Sequence, residues 1–561
     1  MTKSMRRRLW LAILVAHAAV FFPPAISRAQ DASAALSGGV SSQEEGPMEG
    51  VLVSANKNGS SITTTVVSDS QGRYSFPKER LAPGRYSVTI RAAGYDLGSS
   101  GAVEITAGKT AALDLQLVKT KDLAAQLTSA DWLISAPGPQ EHRRRLQECT
   151  QCHTLERILR TRYNPDQLQK LAFRMSNYYE GTLPERFQLH NPPRKVPRSV
   201  LTPEAIEWLS TVNLSSSPQW KFPLKTLPRP KGVATRVIIT QYDLPRKFSM
   251  PHDVVPDSQG TIWYSDHGQQ FLGRLNSRTG EVVEFELPVL KPGFPTGLHF
   301  LKIDREDNIW VTMGTQSAFA KFDRKTEKFQ IWNLPTGPGR DPNPQSYPIL
   351  FDYTTVDHKI WAGEFVTKTI ERMDLRTGKW DPEMIKPFEE LTKSTGMSHT
   401  FYDIFPDSQY NIYLTDISSN RIGKIDAKTK KITFYQTPSS ANSGPRRGHM
   451  DNQDRLWFGE NRSDRIAYFD TKTLQFREYE LPTPFSAPYD VILDKNGYAW
   501  TGGMTTDRVA RLNTKTGDIV EYLLPRSTNI RRVEVDNTAT PVAFWTGDNH
   551  GSSIVRVEPL D

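Results

Sequence analysis

The chain's only two cysteines stand in Cys149-Thr150-Gln151-Cys152-His153. This C-x-x-C-H spacing is the attachment sequence of c-type haem. Two thiols so close together reach the two vinyl groups on one porphyrin edge, and the adjacent imidazole ligates the iron from the same turn. A lone disulfide, a redox C-x-x-C and half a zinc site are the competing readings. A zinc site lacks its second Cys pair, and a thioredoxin-like site needs βαβ surroundings where the pattern here is helical. For the sixth iron ligand the reading is Met175, 22 residues past His153, on one helix face with Leu168, Leu171 and Tyr178. A Met there can equally be core packing; as a ligand it raises the reduction potential above that of a bis-His haem. His190, in a Pro-rich loop, and an open position are the alternatives.

A second set of reactive residues recurs with a long period. Trp263, Trp310, Trp361, Tyr413, Trp457, Trp500 and Trp545 are spaced by 47, 51, 52, 44, 43 and 45 residues. Each closes a unit of an apolar strand and an Asp-x-x-Gly-like turn, as in Asp257-Ser258-Gln259-Gly260. The first six anchors are followed by a strand pair around a Thr-Gly or Thr-Lys turn. Four short strands in each of seven units predict a seven-bladed β-propeller, with Val237 to Tyr242 supplying the strand that the last unit lacks. Eleven residues before the anchors stand His252, His299, Leu350, Tyr402, Arg446, Tyr489 and, with an insertion, about Arg532. Three residues after them stand Asp266, Met313, Glu364, Asp416, Glu460, Gly503 and Asp548, with His267, His449 and His550 nearby. Alternating strand directions put both sets at one mouth of the channel. Such a mouth suits a polar ligand or a metal with acid–base groups beside it. Any single carboxylate there also has the plainer role of capping a turn.

Other elements must carry these residues. Lys3 and Arg6–Arg8, an apolar run from Leu9 to Phe22, and Ser27-Arg28-Ala29 form a secretory signal, cleaved near Ala29. Export to the periplasm follows, with no membrane span in the mature chain. Residues 30–46 and 216–232 read as linkers. Residues 36–118 alternate apolar and polar positions as a β-sandwich, and 136–215 are helical, with Asn164-Pro165 and Thr202-Pro203 as helix starts. The propeller occupies 233–561. The fold class is therefore mainly β, with one small all-α unit.

Three resemblances attach to these segments. Ser68 to Phe76, Leu81 to Val88 and Ala93-Gly94-Tyr95 resemble the carboxypeptidase regulatory-like (prealbumin-type) domain, which implies an accessory or binding sandwich. Cys149 to Thr154 with Arg174-Met175 resembles small cytochrome c domains fused to periplasmic oxidoreductases. Pro251-His252-Asp253-Val254, Arg421 to Ile425, Leu456 to Asn461 and Glu478 to Pro484 resemble the virginiamycin B lyase (streptogramin lyase) family. That resemblance implies Mg²⁺-assisted opening of a cyclic depsipeptide, with His252 and His299 on the paired-His positions. The family's catalytic Glu falls on Gly314, which leaves Glu364 or Asp266 to substitute.

The formal charge of +8 invites a nucleic-acid reading. Lys3, Arg6, Arg7, Arg8 and Arg28 hold five of those charges within the signal, so the mature chain keeps three and the reading falls away. The sequence thus predicts an exported haem c protein, with electron transfer to a redox partner protein or from a small-molecule donor. Its propeller binds a ligand or substrate. A carbon–oxygen lyase and a non-catalytic binding protein are the alternatives.

Overall fold

A computed structural model describes residues 34–188, 201–350, 357–439 and 442–560. The export segment and His190 lie outside the described residues. Among the described residues no helix is long and apolar enough to cross a membrane.

The repeat folds through one recurrent polar link. Asp257 Oδ1 accepts from the backbone N–H groups of Gln259 and Thr261, closing the turn, while Oδ2 accepts from Trp263 Nε1 at 2.9 Å. Asp304–Trp310, Asp451–Trp457 and Asp494–Trp500 repeat this link at 2.8, 3.0 and 2.8 Å. The Asp and the aromatic therefore recur together because each satisfies the other inside the fold. Six four-stranded antiparallel sheets result, their inner strands beginning at Pro251, Leu301, Ser346, Phe401, Pro445 and Pro488. Successive sheets pack at their inner edges, and Val533–Asp536 returns against Pro251–Pro256, closing a propeller-like ring.

The last ring sheet is shared. Val533–Asp536, Ala543–Asp548 and Ser553–Pro559 are followed by Val237–Asp243, which pairs antiparallel with Ser553–Pro559. Its other edge pairs with Ile62–Val67 of the N-terminal sandwich, so one eight-stranded sheet runs through both units. The Arg91–Asp507 and Arg80–Glu558 ion pairs, at 2.6 and 2.9 Å, flank this junction.

Two expected linkers are structured. Ala34–Ser42 is a strand of the sandwich, pairing with Arg73–Pro77 and Leu115–Lys119. Its small residues are required by close packing: a Cβ on Gly38 would lie 1.8 Å from Leu113 O. In the second linker Trp220, Phe222, Leu224 and Leu227 pack on the core of the helical unit. That unit contains α1 (Ser129–Ser135), α2 (Gln140–Gln147), α3 (Glu156–Leu159), α4 (Pro165–Met175) and α5 (Pro203–Val212). It begins before residue 136, because Trp132 and Leu133 of α1 are core. Asn164 and Thr202 cap α4 and α5 through Gln167 N and Ala205 N, as their positions predict.

Candidate functional site

Glu148–Gln151 forms a 3₁₀ turn after α2, and Cys149, Cys152 and His153 follow its course. Both thiols are free and only half-buried. Desolvation raises both thiol pKa values, so they are neutral at pH 7. His153 Nδ1 lies 2.9 Å from Thr154 O. A carbonyl only accepts, so the proton sits on Nδ1 and the Nε2 lone pair is left for a metal. Burial lowers the imidazole pKa, which keeps the ring neutral. This donor set fits a covalent haem: two unlinked thiols beside an imidazole already held in the ligating tautomer.

Met175 ends α4 and is half-buried. The helix buries Leu168 and Ala172 in the core, whereas Leu171, Met175 and Tyr178 stay half-buried. Of the face expected to be apolar, only Leu168 enters the core. Beyond it, Tyr178 stacks on Phe187, which remains 57% exposed. Cys152 Sγ donates to Glu180 O at 3.8 Å, so the chain leaving α4 runs beside the Cys motif.

The motif rests on the ring. Asn529 Nδ2 and His550 Nε2 donate to Thr150 O at 3.2 and 3.0 Å, and Arg531 donates to Gln151 O at 3.0 Å. Arg144 pairs with Asp464 at 2.6 Å nearby.

At this face His252, His267 and His299 converge. Their ring centroids are 4.9, 4.8 and 4.0 Å apart, and all three are buried. His252 lies on the inner strand Pro251–Pro256, His267 follows Ile262–Asp266, and His299 precedes Leu301–Ile303. Tyr179, from the helical unit, puts its hydroxyl 3.2 Å from His267 Nδ1 and 3.4 Å from His299 Nδ1. Burial holds His252 down at about 4 and the other two well below the usual histidine value. His267 Nε2 is buried without a hydrogen-bond partner, an omission that costs about 1–3 kcal/mol.

Behind His252 runs a directed chain. Tyr402 bonds to Tyr489, and the Tyr489 hydroxyl lies 3.2 Å from His252 Nε2. His252 Nδ1 donates to Asp253 at 2.7 Å, and Arg447 grips Asp253 with two bonds of 2.7 and 2.8 Å. Arg447 also reaches Asp403 at 3.2 Å. Arg446 lies over the Tyr489 ring at 4.2 Å. A register shift at the start of the inner strand, between Pro251 and Asp253, recurs at Phe401/Ile404, Pro445/Gly448 and Pro488/Val491. Such bulges re-aim successive residues. They fall where His252/Asp253, Tyr402/Asp403, Arg446/Arg447 and Tyr489/Asp490 meet in the channel.

The carboxylates after the anchors do other work. Asp266 Oδ1 accepts from Met250 N, Gly268 N and Gln269 N, and Oδ2 pairs with Arg246. Glu364 accepts from Gln345 N, Val366 N and Thr367 N. Asp416 and Asp548 cap turns in the same way. Asp266 and Glu364, the acids expected to substitute at the mouth, are thus engaged by backbone amides, and Gly314 is buried. His449 lies 3.5 Å from Asp490 and outside the trio. Sequence reasoning missed Tyr179, Glu180, Arg447 and Arg531. The first two carry no repeat signal because they come from another unit.

Residues 388–560 match the virginiamycin B lyase family, and residues 35–118 match the carboxypeptidase regulatory-like domain. No curated protein matches the chain. Among solved structures, selenomethionine-substituted virginiamycin B lyase from Staphylococcus aureus is 20% identical, covering 57% of this chain and 99% of that one with a TM-score of 0.47. A streptogramin B lyase is also 20% identical, covering 59% of this chain and 100% of that one with a TM-score of 0.49. This mainly β chain therefore carries a carboxypeptidase regulatory-like sandwich and a propeller-like region similar to the virginiamycin B lyase family.

Proposed function

We propose that the chain is an exported, haem c-containing electron-transfer protein whose seven-bladed propeller binds a ligand or substrate at the mouth facing the haem segment. One observation carries this reading: the Cys149–His153 turn is hydrogen-bonded to the ring residues Asn529, Arg531 and His550. The next stretch of the same unit inserts Tyr179 against His267 and His299. A redox group on the turn and a ligand at the histidines would share one site. A bound haem supplies one-electron transfer. Cys149 and Cys152 would hold its edge and His153 Nε2 its iron, with Thr154 O fixing the imidazole tautomer. Met175, half-buried at the end of α4, would be the sixth ligand. The electron donor is a redox partner protein or a small molecule.

The lyase-type or purely binding reading is favoured by the match of residues 388–560. The Asp253–His252 pair gives it an oriented base. Elimination involves no net oxidation or reduction, so that reading leaves the Cys149–His153 motif without a role.

The test is haem staining and a reduced-minus-oxidised spectrum of the protein exported from haem-competent cells. One covalent haem per chain, lost in Cys149→Ala, is expected. Absence of c-type absorbance overturns the proposal. Turnover of a cyclic depsipeptide with no redox change would favour the lyase.

A further inference from the structure

We infer that Glu180, His267 and His299 form a binding site for one divalent first-row transition metal. The inference deepens the ligand-binding reading of the mouth and does not rest on the haem. The three residues each offer a donor atom, and these atoms lie within 4.8 Å of one another. Donors around a tetrahedral zinc-type ion at 2.0–2.2 Å stand about 3.5 Å apart, so small side-chain rotations close the set.

Two independent features point to an ion. His267 is buried, and its Nε2 has no partner. Packing alone does not explain an imidazole placed against two others with a nitrogen left bare. Glu180, moreover, comes from outside the ring and is held over the histidines by its neighbours. Tyr179 bonds both rings, and Gly181 fits so closely that a Cβ there would lie 2.2 Å from His267 O. The helical unit thus delivers one exposed carboxylate to two buried imidazoles of the ring.

The donor set selects the metal. Two imidazoles in three ligands suit zinc, copper, iron or nickel, whereas Mg²⁺ demands oxygen ligands in near-ideal octahedral geometry. Asp253 behind His252 opposes the charge of Arg447, and Glu180 adds a negative charge at the site. Three protein donors leave a fourth position for an exogenous oxygen or nitrogen ligand, the arrangement of a working rather than a purely structural ion.

The test uses the full-length protein, stripped with chelator and titrated with Zn²⁺ alone by calorimetry, with elemental analysis of the product. One Zn²⁺ per chain is expected, and excess Mg²⁺ should not displace it. His267→Ala and His299→Ala should abolish binding. Both sites are buried, so Glu180→Gln is the decisive variant: it is exposed and nearly isosteric, and should weaken binding at least about tenfold. Zn²⁺ binding equal in Glu180→Gln and wild type overturns the site, as does the absence of stoichiometric binding. Displacement of Zn²⁺ by Mg²⁺ overturns the choice of metal. Haem content measured on the same samples separates the two proposals. Protein without haem that still binds Zn²⁺ through Glu180 keeps the metal site and removes only the haem.

Discussion

Arg447 gives the sharpest physical test of the channel. Its guanidinium is buried, makes two bonds to Asp253, reaches Asp403, and lies 3.9 Å from the Phe300 ring centroid. Arg447→Met keeps the apolar stem and removes the charge. Asp253 keeps the bonds from His252 and Leu301 N but loses its main counter-charge. Breaking a buried pair in this way costs about 3–5 kcal/mol, because a charge stays behind without compensation. The pH dependence has a definite sign. In the wild type, Arg447 holds the Asp253 carboxyl below the usual carboxylate range, so the pair's stabilisation is present at neutral pH and lost only as pH falls through that low value. In the variant, desolvation loses its largest opponent, and the carboxyl is expected above its unfolded value. The penalty is then full at pH 7 and is relieved as Asp253 takes up a proton on acidification. Urea unfolding followed by tryptophan fluorescence should show a lower midpoint at unchanged slope. The gap to wild type should narrow between neutral pH and about pH 4.5. Arg447→Met/Asp253→Asn should recover part of the loss. A single-variant cost below about 1 kcal/mol, the level of an exposed pair, or a gap that widens on acidification would refute the reasoning.

Four further outcomes follow from the same geometry. Asp494→Ala strands the Trp500 indole N–H and the turn amides of Asn496 and Tyr498, and should cost about 1–3 kcal/mol by urea unfolding. Gly181→Ala should push the Tyr179–Glu180 segment off the mouth. Limited proteolysis should then cut near it while the ring's unfolding midpoint stays unchanged; unchanged proteolysis would count against the docking. Met175→His should lower the reduction potential in spectroelectrochemistry, and an unmoved potential would leave Met175 outside the iron's coordination. A chain starting at residue 231 uncovers the Val237–Asp243 edge that Ile62–Val67 covers, so size-exclusion chromatography should show self-association.

What was legible in the sequence was what is encoded locally and repeated. The Asp–aromatic link acts over six residues and recurs, so the strands, turns and ring of sheets could be read from spacing. The C-x-x-C-H motif was readable because its chemistry needs five consecutive residues. His252 and His299 were found because equivalent repeat positions share a face, and the structure brings their rings to 4.8 Å. The carboxylates three residues past the anchors were harder. Composition put them at a mouth, but only the fold shows Asp266 and Glu364 spent on backbone amides. A period-two reading also sends one of each pair, such as His252 and Asp253, away from the channel; the bulge that re-aims them is a register event between strands.

The sequence by itself determined the repeat, the Cys motif and the order of the units, since each depends on contacts a few residues long. Only the tertiary structure decided that Ile62–Val67 and Val237–Asp243 share a sheet, and that Tyr179 and Glu180 meet His267 and His299. Those contacts join residues about 90 to 180 positions apart. They are set by shape and polar complementarity between finished units, which no local pattern records.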